Sequence, residues 1–204
     1  MTGSDTFFDA LSARRSIYAI SATSPIPDSR ITEIVEKTIK NTPSTYNVQS
    51  ARAVVLLKDE HRKLWDYAEQ FVKANLPDAV YQMLAPRIAL HKGGYGSVLF
   101  FEDEADLTAI AAQHANVAPF INEWSDTSSG MHQLAVWTAL TAEGLGASLQ
   151  HYNFLPVFSD KVREEWNLPK DWKLKAQLVF GTPTGGPMEK TSKPLEDRVK
   201  VFGQ

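Results

Sequence analysis

The chain has no cysteine. That excludes disulfides, iron–sulfur clusters, cysteine-ligated zinc and thiol nucleophiles, and it suits the reducing cytoplasm, the expected location. Long apolar runs are also missing: no stretch reaches the about 18 residues that a membrane-spanning helix requires, so no membrane partner is expected. The opening segment MTGSDTFFDALSARRS lacks a basic region followed by an apolar one, so no signal peptide is expected. Positive charge is not in excess. The net charge is −3 and the isoelectric point about 6.0, whereas a nucleic-acid binder carries a basic face.

Several catalytic signatures are absent as well. The five histidines, His61, His91, His114, His132 and His151, show no H-E-x-x-H or other ligand spacing, so no metal is expected and surface or packed histidines are. Gly93-Gly94-Tyr95-Gly96 and Gly144-Leu145-Gly146 do not form a strand–G-x-G-x-x-G–helix unit. Neither a P-loop nor a G-x-S-x-G elbow occurs. The acidic group Glu102, Asp103, Glu104 and Asp106 reads as a solvated helix start favoured by the helix dipole.

What is present is ordinary globular material. Of 204 residues, 43% are hydrophobic and 22% charged. A chain of this length buries roughly 70% of its unfolded surface, so one domain over residues 1–204 is expected without a metal or disulfide staple.

Periodicity places the elements. Ser4 or Asp5 begins a helix with Phe7, Phe8 and Leu11 on one face, and Asp28 or Ser29 caps a second carrying Ile31, Ile34, Val35, Thr38 and Ile39. Ala53 to Leu57 is a continuous apolar run and predicts a strand covered on both faces. Asp59 opens a helix with Leu64, Trp65, Ala68, Phe71 and Val72 inward, and another covers Asp78 to Leu90. Gly93 to Gly96 reads as a flexible break before a strand at Ser97 to Phe101. Helices fill residues 104 to 124. Residues 129 to 143 form the most apolar helix, buried all round in a core or at a subunit interface, and it stops at Gly144 and Gly146. Ala147 to Gln150 leads into a third strand, Asp160 to Trp166 is a short helix, and Leu174 to Gly181 is a fourth strand. Residues 182 to 195, rich in proline and glycine, form an extended arm, followed by an amphipathic tail from Leu195 to Phe202. About four strands against six or seven helices make an α+β or three-layer α/β domain.

Three segments carry chemistry. Arg14-Arg15-Ser16 lies where the first helix ends, and two guanidiniums beside a hydroxyl suit a phosphate monoester. Pro43-Ser44-Thr45-Tyr46-Asn47-Val48-Gln49-Ser50 joins a helix to the first long strand, and its hydroxyls and amides match the donor–acceptor edge of a planar heterocycle. Glu143-Gly144-Leu145-Gly146-Ala147-Ser148-Leu149-Gln150-His151-Tyr152-Asn153 lets a ligand approach small residues and bare backbone.

In this order and spacing the three segments resemble the FMN-dependent nitroreductase family. Arg-Arg-Ser is similar to its Arg-x-Ser phosphate motif. Pro-Ser-x-x-Asn-x-Gln is similar to its Pro-Ser-x-x-Asn-x-Gln-Pro-Trp segment, and Gly-Leu-Gly-Ala-Ser to its Gly-Leu-Gly-Ser stretch. The Gly181-Thr182-Pro183 turn and a basic tail extend the resemblance along the whole chain. Leu-Gln-His-Tyr-Asn and Pro-Leu-Glu-Asp-Arg are similar to a short branch found in bacteria and fungi. Tyr18 stands where the family often has a lysine near flavin N1 and O2, Ser50-Ala51 replaces Pro-Trp, and the basic spacing of the tail differs.

The resemblance implies a central, mostly antiparallel sheet surrounded by helices, in a homodimer with exchanged C-terminal tails and residues 182–204 packing on the partner. It implies that Arg14 and Ser16 hold the FMN phosphate, with Arg15 near the phosphate or ribityl chain and in position to substitute for the missing lysine. Pro43, Ser44 and Thr45 would come from the other subunit and line the isoalloxazine, with Asn47 and Gln49 pinning that loop or meeting the flavin edge. Gln150 leads into backbone amides around His151 and Tyr152 that would face flavin N5 and O4. Lys190, Lys193 or Arg198 would complete phosphate neutralisation.

The implied activity passes hydride from NADH or NADPH, through flavin N5, to a nitroaromatic, nitroso or quinone acceptor in ping-pong order. No side chain is required as acid or base, since the cofactor carries the chemistry. The alternative is a flavin-binding protein of slow turnover in oxidative-stress or redox signalling.

Overall fold

The computed structural model describes residues 3–203. Seven α-helices surround a five-stranded sheet among the described residues. The strands are β1 (Ile20–Ser21), β2 (Ala51–Leu57), β3 (Gly96–Asp103), β4 (Gly146–Gln150) and β5 (Trp172–Pro183). Every strand pairing is antiparallel. The order is β1-β5-β3-β2, with β4 also on β5. The long β5 therefore has β3 and β4 on opposite edges, both pairing along residues 177–180, while β1 pairs with its last two residues, Thr182 and Pro183.

Residues of β3 alternate between two cores, as the two-residue period of a strand requires. Leu99 and Phe101 join Leu64, Trp65, Val72, Ile88 and Phe158 on one face. Val98 and Phe100 join Ile31, Ile34, Val136 and Leu140 on the other. The first face is covered by α3 (Lys58–Asn75), α4 (Asp78–Lys92) and α7 (Pro156–Glu165), and the second by α2 (Asp28–Asn41) and α6 (Ile121–Ala142). This is the expected three-layer α+β arrangement. The remaining helices are α1 (Gly3–Ala13), which packs on α6, and α5 (Glu104–Gln113).

Several local expectations are corrected. Asp28 does not cap α2; Pro27 takes that position. The Asp28 carboxylate accepts from Lys58 Nζ at 2.6 Å and from the Tyr95 hydroxyl. Those bonds hold its pKa below the usual carboxylate range. In β2, Val54 and Leu56 face one core while Ala53, Val55 and Leu57 face the other. Only Ala51 and Leu56 are fully buried, because β2 is an edge strand with a neighbour on one side only. The Gly93–Gly96 segment is a packed turn. The Tyr95 amide donates to the Phe180 carbonyl at 2.8 Å, and a Cβ on Gly96 would lie 2.5 Å from the Phe180 ring.

The helical stretch expected over 104 to 124 breaks after Gln113, before a 3-10 turn at Ala118–Phe120. The helix α6 starts eight residues earlier than its apolar stretch suggests, and it is not buried all round. Ile121, Ser125, Ser128, Ser129, His132, Val136 and Leu140 form one buried stripe. Met131 and Leu134 on another side are 40% and 43% exposed. After β5 the described chain has no helix or strand, and residues 184–203 are exposed.

Candidate functional site

The segment after α1 is anchored on β4. Ser16 bridges to Ala147, and the Ile17 amide donates to the Ala147 carbonyl at 2.9 Å. This contact brings the arginine motif and the Gly-Leu-Gly-Ala-Ser stretch together. It needs Gly146, where a Cβ would meet the Ile17 and Ile20 side chains at 3.0–3.1 Å.

Arg14, Arg15 and Ser16 line an open cleft of about 430 Å³ with Tyr18, Met188 and Lys190. The Arg14 guanidinium lies 4.3 Å from the centre of the Trp137 ring. Its Nε is buried without a hydrogen-bond partner, as is Trp137 Nε1. Burial, and then the neighbouring Arg15 charge, push the Arg14 pKa down. Arg15 Nη2 donates to the Met188 carbonyl and so ties the C-terminal arm across the cleft. Glu189 is the one carboxylate lining the cleft, beside Lys190. Two adjacent guanidiniums that repel each other, one of them partly desolvated, fit a phosphate: a dianion would supply the acceptor that Arg14 lacks and offset both charges.

The cleft continues past Tyr18 and Met188 into a second space of about 430 Å³ lined by Leu149, Gln150, Arg87, Leu90 and His91. Gln150 donates to Ser148 Oγ at 3.1 Å. His151 is exposed just beyond. Tyr152 departs from expectation. Its side chain is 5% exposed and lies in the first core against Trp65 and Phe158. Its amide already donates to Gln177 Oε1 at 2.7 Å. That amide is committed within the fold and does not face a ligand. Burial pushes the Tyr152 hydroxyl pKa up to about 12.

The Pro43–Ser50 loop stands apart from this groove. Pro43, Ser44 and Thr45 line a different hollow of about 320 Å³ with Trp124, Ser128 and Met131. The loop is held internally. Ser44 Oγ accepts from the Gln49 amide at 2.9 Å, Gln49 Nε2 donates to the Asn47 carbonyl at 3.4 Å, and Ser128 Oγ donates to the Pro43 carbonyl at 3.1 Å. Gln49 thus ties the loop to itself, while Asn47 takes part through its backbone carbonyl and amide. Tyr46, Asn47 and Gln49 have φ of 53°, 53° and 52°. Left-handed backbone at non-glycine residues is strained and persists where surrounding structure enforces it. Lys193 and Arg198 are exposed and line neither the cleft nor the hollow; of the three cations expected at the phosphate, Lys190 is the one that lines the cleft.

Beneath the loop the acidic group is not uniformly solvated. Glu102 is 1% exposed, and its Oε2 accepts from Ser50 Oγ at 2.5 Å and Ser125 Oγ at 2.8 Å. Asp103 does cap α5, through the Ala105 amide at 3.0 Å. Sequence reasoning also missed Trp137, under Arg14, and Arg87. His61 and His91 are packed histidines, as expected. His61 Nδ1 meets Ser97 Oγ at 2.9 Å and Nε2 meets the His91 carbonyl at 3.0 Å. Burial pushes both pKa values down to about 4. No cluster of metal-binding side chains occurs among the described residues, and no helix there is long and apolar enough to cross a membrane.

Comparison with known proteins adds three findings. The family model described as Nitroreductase family matches residues 11–182. The nitroreductase FRM2 of Saccharomyces cerevisiae is 33% identical over 197 residues, covering 94% of this chain and 95% of that protein. The nitroreductase CinD of Lactococcus lactis, solved with chloramphenicol and with 4-nitrophenol, is 37% and 36% identical in the two structures. Its TM-scores are 0.87 and 0.86, over 97% of this chain and 100% of CinD.

Proposed function

As the chain belongs to the nitroreductase family and is an oxidoreductase of that type, we propose that it is an FMN-dependent homodimer that reduces nitroaromatic, nitroso or quinone acceptors with NADH or NADPH. One observation carries this reading. Arg14, Arg15, Ser16 and Lys190 converge on one end of a groove, where the Arg14 Nε has no partner, and the groove runs on to Gln150 at the end of β4. When bound, FMN would supply the hydride chemistry that links the nicotinamide donor to the acceptor in ping-pong order.

The chain's own residues bind and orient. Arg14 and Arg15 offer charge-assisted donors to the phosphate, Ser16 adds a hydroxyl, and Lys190 contributes a point charge. The Arg15 bond to the Met188 carbonyl keeps the arm closed over that end. Gln150 and the exposed His151 border the ring end. Tyr18 carries no positive charge there, and Arg15 is the nearest cation on its segment.

A second copy completes the site. The groove of one chain lacks Pro43, Ser44 and Thr45, which lie in a hollow of their own. The exposed Phe7, Phe8, Met131, Leu134, Leu195 and Phe202 supply apolar surface for pairing. Lys193 and Arg198, on the exposed tail, reach a phosphate only where that tail crosses to a partner. The proposed setting is the cytoplasm, with a role in oxidative stress.

The test is optical. Purified protein should be yellow with flavin absorbance, bleach on addition of NADH or NADPH, and recolour with 4-nitrophenol or a quinone. A colourless monomer that rejects added FMN would end this reading. A flavoprotein that bleaches only over many minutes would favour the slow, signalling alternative.

A further inference from the structure

Arg87 sits on α4, one turn before His91, and both side chains line the far end of the groove. Leu90, Leu149 and Met188 form its apolar walls, with Leu90 52% and Met188 73% exposed. The polar lining there comes from Tyr18, Gln150 and His91, and no carboxylate is among the residues that line this end. Among the described residues nothing pairs with the Arg87 guanidinium. The acids on the facing helix are engaged elsewhere: Asp66 by Lys92 and Glu69 by the Tyr81 hydroxyl at 3.2 Å. The Arg87 charge lies near His91 and the Tyr152 hydroxyl, but burial dominates both, holding His91 down at about 4 and Tyr152 up at about 12. Both of those groups are uncharged near neutrality, so neither cancels it. The far end is therefore an apolar slot with one uncompensated, fork-shaped cation at its edge.

We infer that Arg87 sets acceptor specificity by taking a carboxylate, or a like anionic substituent, on a planar aromatic electron acceptor. The guanidinium fork matches a carboxylate bidentately, while the leucine and methionine walls cover the ring. The inference rests on the reading above that the flavin ring lies along this groove, so that an acceptor stacked on the ring reaches the Arg87 edge. It narrows the acceptor from aromatics in general to aromatic anions.

The test uses the FMN-loaded dimer and two acceptors that share a ring, 4-nitrobenzoate and its methyl ester. Arg87→Ala should lower kcat/KM for 4-nitrobenzoate by about tenfold, the effect of losing one charge-assisted contact, and leave the ester within about twofold. Arg87→Lys should recover part of the loss, because it restores the charge without the fork. The wild-type preference should shrink as ionic strength rises. A titration of oxidised protein with 4-nitrobenzoate, with no electron donor, should show the same tenfold weakening in Kd. Equal losses for both acceptors, or no loss for either, overturns the inference. So does a loss confined to NADPH against NADH, which would assign Arg87 to the donor's phosphate. The titration separates the two readings. Protein that binds 4-nitrobenzoate through Arg87 yet reduces neither acceptor defeats the reductase reading and not the anion site.

Discussion

The two faces of the sheet treat buried polar groups differently. On the face covered by α3 and α4, His61 is bonded at both ring nitrogens, and Trp65 Nε1 donates to Ser97 Oγ at 3.1 Å. Trp65, His91 and Tyr152 pack ring against ring, with centroids 4.8 to 6.0 Å apart. On the face covered by α6, Arg14 Nε, Trp137 Nε1 and Thr138 Oγ1 are buried with no partner among the described residues. Met131 and Leu134 of the same helix are exposed. Native proteins satisfy nearly all buried polar groups, and each exception requires a reason. The first face satisfies its His61 and Trp65 groups within one chain. The second is completed, in our proposal, by a phosphate and a second copy. Gln177 Nε2 and Asn153 Oδ1 are orphans near the first face; Asn153 belongs to the 150–153 segment that borders the groove, and Gln177 is bonded to that segment through Tyr152. Glu102 Oε1 is a further orphan on the α6 side.

The contrast predicts that damage to the first face unfolds the chain, whereas damage to the second empties it. The largest expected effect is at Trp65, which is 0% exposed. Trp65→Ala should cost about 3–5 kcal/mol, through lost burial and the cavity left behind, read as a lower denaturant midpoint with or without FMN. Arg14→Ala should weaken FMN binding by about a hundredfold, or about 2.7 kcal/mol. It should cost the FMN-free protein only about 0.5–1 kcal/mol, the scale of the lost contact with Trp137, since the guanidinium has no acceptor to lose. The melting temperature would then fall much more in the presence of FMN than without it. Unchanged flavin content would break the comparison.

Deleting residues 191–204 should weaken the dimer by about tenfold in sedimentation or light scattering, the scale of a few lost apolar contacts. An intact dimer would show that the tail does not clasp a partner. The smallest effect concerns pH. His61 and His91 have folded pKa values of about 4, below the roughly 6.5 of an unfolded histidine. Between those values the unfolded chain binds more protons, so stability is full above the unfolded value and is lost as pH falls toward about 4. Lowering pH from about 7.5 to about 6.5 should cost on the order of 0.5 kcal/mol. A flat profile over that interval would mean that neither histidine is buried neutral.

Much of the fold was legible because periodicity is a local signal. The stripe Ile31, Ile34 and Val35 and the stripe Leu64, Trp65, Ala68 and Val72 face the cores as their spacing requires. The failures have a common source. Glu102 looks like its neighbours Asp103 and Glu104 in sequence. It is buried because β3 carries it under Ser50 and Ser125, from a loop and a helix distant in the chain. Tyr152 sits inside a motif that resembles a ligand-facing loop, yet its ring is taken by the core and its amide by Gln177. Arg87 lies in a helix with no motif at all and is marked only by what α4 faces.

Residue types and their order fixed the alternation of helices and strands, the absence of thiol chemistry, and three segments suited to a phosphorylated heterocycle. Those are properties of neighbours in the chain, where propensity and hydrophobic spacing act. Only the packed sheet decided that the segment at Arg14 meets the one at Ala147, that Lys190 rather than Lys193 or Arg198 lines their cleft, and that the loop at Pro43 faces elsewhere. Such choices depend on which distant strands pair and which side chains then remain without partners, and no local pattern encodes them.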